Sequence, residues 1–264
     1  MTTVFLAGAS GFLGAHWLRG LCATGCTFKA LSRRAESDAA IRAQGGVPMR
    51  AELTDRVSLQ AALFGCTAVF HATADTSIWG RHADAQSATH IAGTTNLLRT
   101  SEVAAVQALM HTSPVSAWSR LVHERIDEST LQRGGESRVN HNRSKLPGEQ
   151  VVRHAALPWI VFNPTHILGP GDHRNGAHLI ALVGRRKLPG IAPGVGGFAD
   201  AREIARTQVR AWQRQRFGQT HRLGGEQASF VDLVHRIRAP LGKRTPRGAT
   251  PARALIAFAR LANA

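Results

Sequence analysis

The amino-acid sequence predicts an α/β fold, a doubly wound parallel sheet with a small carboxyl-terminal lobe, on three observations. Val4-Phe5-Leu6-Ala7 is a short apolar strand running into Gly8-Ala9-Ser10-Gly11-Phe12-Leu13-Gly14, three glycines spaced G-x-x-G-x-x-G, and then into a helical pattern from Ala15. Strand and helix patterns keep alternating through the first two-thirds of the chain, which calls for a parallel sheet covered on both faces. With 264 residues, 43% of them hydrophobic, there is core for one large domain and a smaller lobe but not for a second full domain. The sheet domain is expected at residues 1–163 and the lobe at 164–264, interleaved with late elements of the sheet.

The elements follow in order. Strands are expected at Thr3–Leu6, Phe28–Ser32, Val47–Glu52, Ala68–His71, Ala108–Thr112, Trp159–Asn163 and His221–Leu223, each a short run with strand character. Helices are expected at Ala15–Thr24, Asp38–Gln44, Ser58–Leu63, Asp84–Ser101 and His141–Ala155. In the last of these Leu146, Val151 and Val152 keep helical spacing although Pro147 sits near the middle. Pro164 to Phe198 is rich in Gly and Pro and reads as loop with one helix at His178–Arg186. Asp200–Arg214 and Phe230–Ala239 read as helices flanking the last strand, and Arg253–Ala262 as a final amphipathic helix.

The three glycines have a steric purpose. The chain must turn sharply, let a diphosphate touch its backbone and pack the helix closely on the strand. The helix amino end then presents unpaired N–H groups and a positive dipole to the phosphates. Gly8, Ser10, Gly11, Phe12, Leu13 and Gly14 are therefore candidate cofactor contacts.

The formal charge of +16, from 33 Lys and Arg against 17 Asp and Glu, favours anionic partners: phosphorylated cofactors, anionic lipid or nucleic acid. The basic residues are scattered, and no helix-turn-helix, zinc finger or RNA-binding signature accompanies them, so a solvated basic surface is preferred to specific nucleic-acid binding. No apolar run approaches membrane-spanning length, and with Met1 leading directly into the first strand no signal peptide is expected. Cys22, Cys26 and Cys66 show neither a CxxC framework nor zinc spacing, which suits reduced thiols in a cytoplasmic protein. His173 and His178 flank a loop beside Asp172 but lack a third ligand, so no metal site is expected.

With the glycine turn, Asn163-Pro164-Thr165 and Ser144-Lys145 in order, the chain resembles the extended short-chain dehydrogenase/reductase family, in its NAD-dependent epimerase/dehydratase and dihydroflavonol-reductase-like branch. Val69-Phe70-His71-Ala72-Thr73-Ala74, Ile91-Ala92-Gly93-Thr94-Thr95-Asn96, Phe198-Ala199-Asp200-Ala201-Arg202 and Leu223-Gly224-Gly225-Glu226 extend the likeness over nearly the whole chain. The resemblance implies a Rossmann-like NAD(P)-binding domain, a nicotinamide cofactor across the sheet's switch point and a small hydroxy or keto substrate. It also implies cofactor contacts at Glu52 and Leu53 by the adenine, at His71, Ala72 and Ala74 beneath the ribose and diphosphate, and at Asn163, Pro164 and Thr165. Pairing of two subunits through the helices at Asp84–Ser101 and His141–Ala155, as a homodimer, is a further expectation. The cofactor itself is read from charge. The second strand ends Ser32-Arg33-Arg34 with no carboxylate before Glu36, so Arg33, with Ser32 and Arg34, could receive a 2′-phosphate; NADP is favoured, with NAD as the other option.

The catalytic positions depart from the family. The family uses a Ser or Thr, a Tyr and a Lys, with Tyr four residues before Lys. Here the Lys is Lys145, His141 stands in the Tyr place, and Pro114 takes the usual Ser place, leaving Thr112 and Ser113 as substitute hydroxyls. Imidazole is shorter than phenol, and the neighbouring ammonium should depress its pKa. The chain has no tyrosine at all and 13 histidines, so the loss extends beyond one site. Two readings stay open: an oxidoreductase or epimerase with a makeshift site, and a catalytically silent NADP(H)-binding protein. His141 is equally a packed helix residue. No G-x-S-x-G elbow supports a hydrolase.

Overall fold

The structure, a computed structural model, describes residues 2–76, 83–118, 126–127, 129–137, 139–173, 176–242 and 248–262. The chain divides into two compact units, one of residues 1–164 and 201–223, the other of 165–200 and 224–264.

The first unit is built on a seven-stranded sheet. Its strands are β1 (Thr3–Ala7), β2 (Thr27–Ser32), β3 (Val47–Arg50), β4 (Ala68–His71), β5 (Ala108–Thr112), β6 (Trp159–Pro164) and β9 (Gln219–Leu223). The order is β3-β2-β1-β4-β5-β6-β9 and every pairing is parallel, so the strand order reverses beside β1, where ligands of doubly wound sheets settle. The predicted doubly wound α/β class is the one observed. Phe5, Val69, Leu109 and Val161 bury one sheet face against Leu59 of α3 (Arg56–Leu63), Leu97 of α5 (Thr94–Val103) and Val152 of α6 (Asn140–Arg153). Phe70 faces the opposite layer, edge-on to Trp17 of α1 (Phe12–Cys22) and to Trp212 of α8 (Ala201–Gln213). Phe5 and Phe70 are fully buried, each contributing about 2–3 kcal/mol.

The long helix expected at 84–101 is interrupted. It comprises α4 (Ala83–Ser87), a π-helical turn at Ala88–Gly93 and then α5. The turn has a packing cause: a Cβ on Gly148 of α6 would stand 2.2 Å from the His90 carbonyl oxygen, so α6 and the turn touch backbone to backbone. Such wide turns concentrate at functional sites.

The second unit carries its own sheet, β10-β8-β7, formed by β7 (His166–Leu168), β8 (Val195–Asp200) and β10 (Glu226–Ser229). β7 and most of β8 fall where the sequence reads as loop, β7 being only three residues long and Gly196 and Gly197 erasing the apolar alternation of β8; β10 falls between the last expected strand and the helix after it, in a polar run. Val183 of α7 (Gly176–Gly184), Ile191 and Val234 of α9 (Phe230–Arg238) form its small core, and Ser229 and Asp232 close a capping box on α9. The final helix is α10 (Ala252–Ala262). No described helix is long and apolar enough to cross a membrane.

Candidate functional site

The turn after β1 is built as its glycines require. Gly8 has φ +112°, a region closed to other residues, and a Cβ there would press on the Ala72–Thr73 backbone at 3.1 Å. Gly11 donates its N–H to the Gly8 carbonyl at 3.0 Å and caps α1 without any side-chain bond. A Cβ on Gly14 would lie 2.1 Å from the Gly8 oxygen and 2.6 Å from the Ala9 Cα, so only glycine lets α1 pack this closely on β1. No acidic residue stands in the first turn of α1, leaving the positive end of its dipole uncompensated. Ser10 and Gly11 are exposed, Phe12 half-buried and Leu13 buried.

Around this turn the other expected cofactor positions are arranged as follows. Ser32 is buried at the end of β2 and donates to the Arg34 carbonyl at 3.1 Å, while Arg33 and Arg34 are exposed and pair with no carboxylate among the described residues. Glu52 is exposed. Leu53 is buried against Gly93 and accepts from Asn96 at its carbonyl. Ala72 donates to the Ala7 carbonyl at 2.9 Å, and Ala72 and Ala74 are half-buried. Asn163 is fully buried and donates to the Ser113 carbonyl and to the Glu149 carboxylate, both at 2.9 Å, which ties β5, β6 and α6 together. Pro164 ends the first unit; Thr165 opens the second, where it lies against Gly197.

Lys145 lies on α6, only 3% exposed, and its ammonium meets no hydrogen-bond acceptor among the described residues. Burial pushes its pKa down to about 8, against a smaller upward pull from Glu149 one turn on. Four histidines lie within reach of that charge. His71 contacts the Thr94 hydroxyl at 3.1 Å, and burial, helped by Lys145, pushes it down to about 3. His111 lies beside it, ring centroids 5.0 Å apart, held well below its ordinary value by burial and then by His71. His90 is pushed down to about 2 by burial and Lys145. His141 is half-buried and lowered by the same two causes in the same order.

His90 and His141 hold the backbone of one residue, on either side of its Cα. The Asp75 N–H donates to His90 Nε2 at 3.1 Å, and His141 Nδ1 lies 3.0 Å from the Asp75 carbonyl oxygen. His90 Nδ1 in turn meets the Ser144 hydroxyl at 2.8 Å, which donates to the Asn140 carbonyl at 2.9 Å.

The expected hydroxyls do not both join this group. Thr112 accepts from Gln208 of α8 at 3.1 Å, and Gln208 accepts from the Trp17 indole, so the Thr112 hydroxyl is committed to the helix layer of α1 and α8. Ser113 is fully buried, and neither its hydroxyl nor Asn163 Oδ1 has a hydrogen-bond partner among the described residues. Pro114 is half-buried and supplies no donor. The sequence reading missed His90, Asp75, Gln208 and Glu149 as site-shaping residues. Glu149 had a legible signal, its i,i+4 spacing from Lys145; the others are joined only by the fold.

An all-parallel sheet that turns through three close-packed glycines into its first helix, with a buried lysine on α6, defines a dinucleotide-fold α/β protein. The chain matches the NAD dependent epimerase/dehydratase family over residues 4–214, and it belongs to that family. It is similar to sterol demethylase protein B of Methylococcus capsulatus, 27% identical over 271 residues, covering 98% of this chain and 80% of that one. It is also similar to a putative dihydroflavonol 4-reductase of Synechocystis, 26% identical over 259 residues, covering 94% and 75%. Among solved structures, PA4631, a nucleoside-diphosphate-sugar epimerase from Pseudomonas aeruginosa, superposes with a TM-score of 0.84 at 22% identity, over 98% of this chain and 85% of that one. The Bordetella bronchiseptica enzyme WbmG in complex with NAD does so at 0.82 and 17%, over 95% and 82%. At these identities the structural likeness establishes the fold alone.

Proposed function

We propose that the protein is a nicotinamide-dinucleotide-dependent oxidoreductase of its family, acting on a small hydroxy or keto compound, with NADP as the preferred cofactor and the second unit as its substrate lobe. One observation carries the reading: the cradle of Gly8, Gly11 and Gly14, where a Cβ would collide with backbone, leaves main-chain N–H groups open beside an uncapped helix end. The residues present fit a dinucleotide. The turn would hold the diphosphate, Arg33 and Arg34 the 2′-phosphate, Leu53 the adenine side, and the buried Lys145 ammonium the nicotinamide ribose hydroxyls. WbmG and two further solved relatives hold NAD, which supports the cofactor class. When bound, the dinucleotide supplies hydride chemistry; the half-buried His141 is the polar group of this chain that would handle the substrate oxygen.

A second reading, a silent NADP(H)-binding protein, draws on a specific observation: Pro114 offers no hydroxyl, and Thr112 is turned to Gln208. Both readings call for NADPH binding, followed by fluorescence. Turnover of a panel of ketones, secondary alcohols and nucleotide sugars distinguishes them, since only the first gives any. Folded protein that binds no dinucleotide contradicts both.

A further inference from the structure

We propose that the second unit docks on an anionic lipid surface, through a patch both basic and apolar where α7 and α9 end and α10 begins. The patch shares no residue with the cofactor positions, so the proposal goes beyond the dinucleotide reading and does not depend on it.

The apolar part comes first. Ile180 of α7 is 51% exposed, Leu241 48%, and Ile256 and Phe258 of α10 53% each. Singly, such residues are ordinary; packing gathers these four. Gly184 lies one turn on from Ile180, and a Cβ there would touch the Leu241 side chain at 3.8 Å, so Leu241 lies over the end of α7 on the face that carries Ile180. The Thr250 N–H donates to the Ile191 carbonyl at 2.8 Å, and the Ile191 N–H to the Thr250 hydroxyl at 3.1 Å. These two bonds fasten the entry to α10 onto the segment that leaves α7. Leu255 then rests on Gly190, where a Cβ would stand 2.8 Å away, and Ile256 and Phe258 flank it uncovered.

Charge is segregated along the same helices. Carboxylates stand at their starts: Asp172 accepts from the Gly176 and Ala177 N–H groups at the head of α7, and Asp232 closes the capping box of α9. Cations stand at their ends. Arg185, Arg186 and Lys187 follow α7, are exposed and pair with no carboxylate among the described residues. Their N–H groups close back on the carbonyls of Ala181, Val183 and Leu182, which fixes this run against the helix end. After Asp232 the sequence has seven Lys and Arg and no Asp or Glu.

Together the two properties select the occupant. A second copy of a chain of charge +16 is repelled, and a two-fold dimer would set this basic face against itself. Nucleic acid would answer the charge but offers no apolar phase for four aliphatic and aromatic side chains. An anionic bilayer answers both: headgroups meet the arginines while Ile180, Leu241, Ile256 and Phe258 enter the acyl boundary.

Flotation of the full chain with lipid vesicles tests this. Vesicles of phosphatidylserine and phosphatidylcholine in equal parts should carry the chain upward, and vesicles of phosphatidylcholine alone should not. Binding should vanish near 1 M salt, where charges are screened beyond about 3 Å. The R185Q/K187Q variant should bind about 25-fold more weakly, at about five-fold for each basic residue near an anionic surface. The I256S/F258S variant, its charge unchanged, should lose about 10-fold or more. All four replaced side chains are exposed, so the melting temperatures should match the parent. Flotation that is absent, or that ignores phosphatidylserine, overturns the proposal. An I256S/F258S variant that floats as the parent does marks a purely electrostatic surface, of the kind nucleic acid uses, and overturns it equally.

Discussion

His141 is bound through Nδ1 to the backbone oxygen of Asp75 at 3.0 Å, so the residue standing four positions before Lys145 has its orientation set by the peptide that follows β4. A phenol at 141 has no second ring atom with which to make that bond. Placing Tyr there with Ser at 114 gives up that contact, supplies the phenol of the family pattern and returns the missing hydroxyl. The expected outcome for the H141Y/P114S double variant is NADP(H) affinity close to the parent and a reductive kcat raised about 10²-fold or more, the usual scale of one general acid, measured by steady-state kinetics on ketones.

Gly14→Ala should be the most damaging small substitution. Its Cβ would have to displace the Gly8 oxygen and the Ala9 Cα, both rigid backbone. A loss of about 2–4 kcal/mol in urea denaturation is expected, the range of severe overpacking, together with loss of dinucleotide binding. An unchanged midpoint would contradict the close packing of α1 on β1.

The buried histidines make the fold acid-labile. His71 and His90, lowered to about 3 and about 2, are neutral in the folded protein but titrate near 6.5 when unfolded. The unfolded chain thus binds more protons below pH 6.5, and stability, complete above that value, falls as the pH drops toward 3. At pH 5 each histidine costs about 2 kcal/mol, a large share of a typical domain's stability. Denaturant midpoints measured from pH 7.5 to 4.5 should fall steeply, and the H71F/H90Q variant should flatten the profile.

Lys145 bears the opposite relation to function. Its folded pKa of about 8 lies below the free value of 10.5, so the charged ammonium is disfavoured at neutral pH and stability rises as the pH climbs from 8 through 10.5. Lys145→Met should raise stability at pH 7 by up to about 3 kcal/mol while weakening dinucleotide binding. Thermal melts and calorimetry on one sample read both effects.

Arg33 and Arg34 are exposed and pair with no carboxylate among the described residues. Substituting Arg33 with Glu should lower NADP⁺ affinity about 10- to 100-fold and leave NAD⁺ affinity within a few-fold, since a bidentate guanidinium–phosphate contact is lost and a repulsive charge gained. Equal loss for both dinucleotides would show that the arginine does not meet the 2′-phosphate.

The sheet was legible in the sequence because its signal is local. Val4 to Ala7 is apolar, and Gly8, Gly11 and Gly14 have no substitute where backbone meets backbone. The π turn at Ala88–Gly93 was not legible, since it arises from α6 pressing Gly148 on the His90 carbonyl, a contact across more than fifty residues. β8 escaped notice because glycines at 196 and 197 carry no alternation, β7 because three residues are too few to show one, and β10 because Glu226-Gln227-Ala228-Ser229 is nearly all polar. At the site, Lys145 and His141 could be picked out by spacing. The direction of the Thr112 hydroxyl could not, because Gln208, which decides it, lies on a distant helix.

The measurement that bears most directly on the account is a calorimetric titration of the folded chain with NADP⁺ and NAD⁺ at pH 7, with thermal melts on the same material. Saturable heat at one site per chain, tighter for NADP⁺ and accompanied by a higher melting temperature, is the predicted result. A folded chain giving no heat and no melting shift with either dinucleotide, oxidised or reduced, would contradict it.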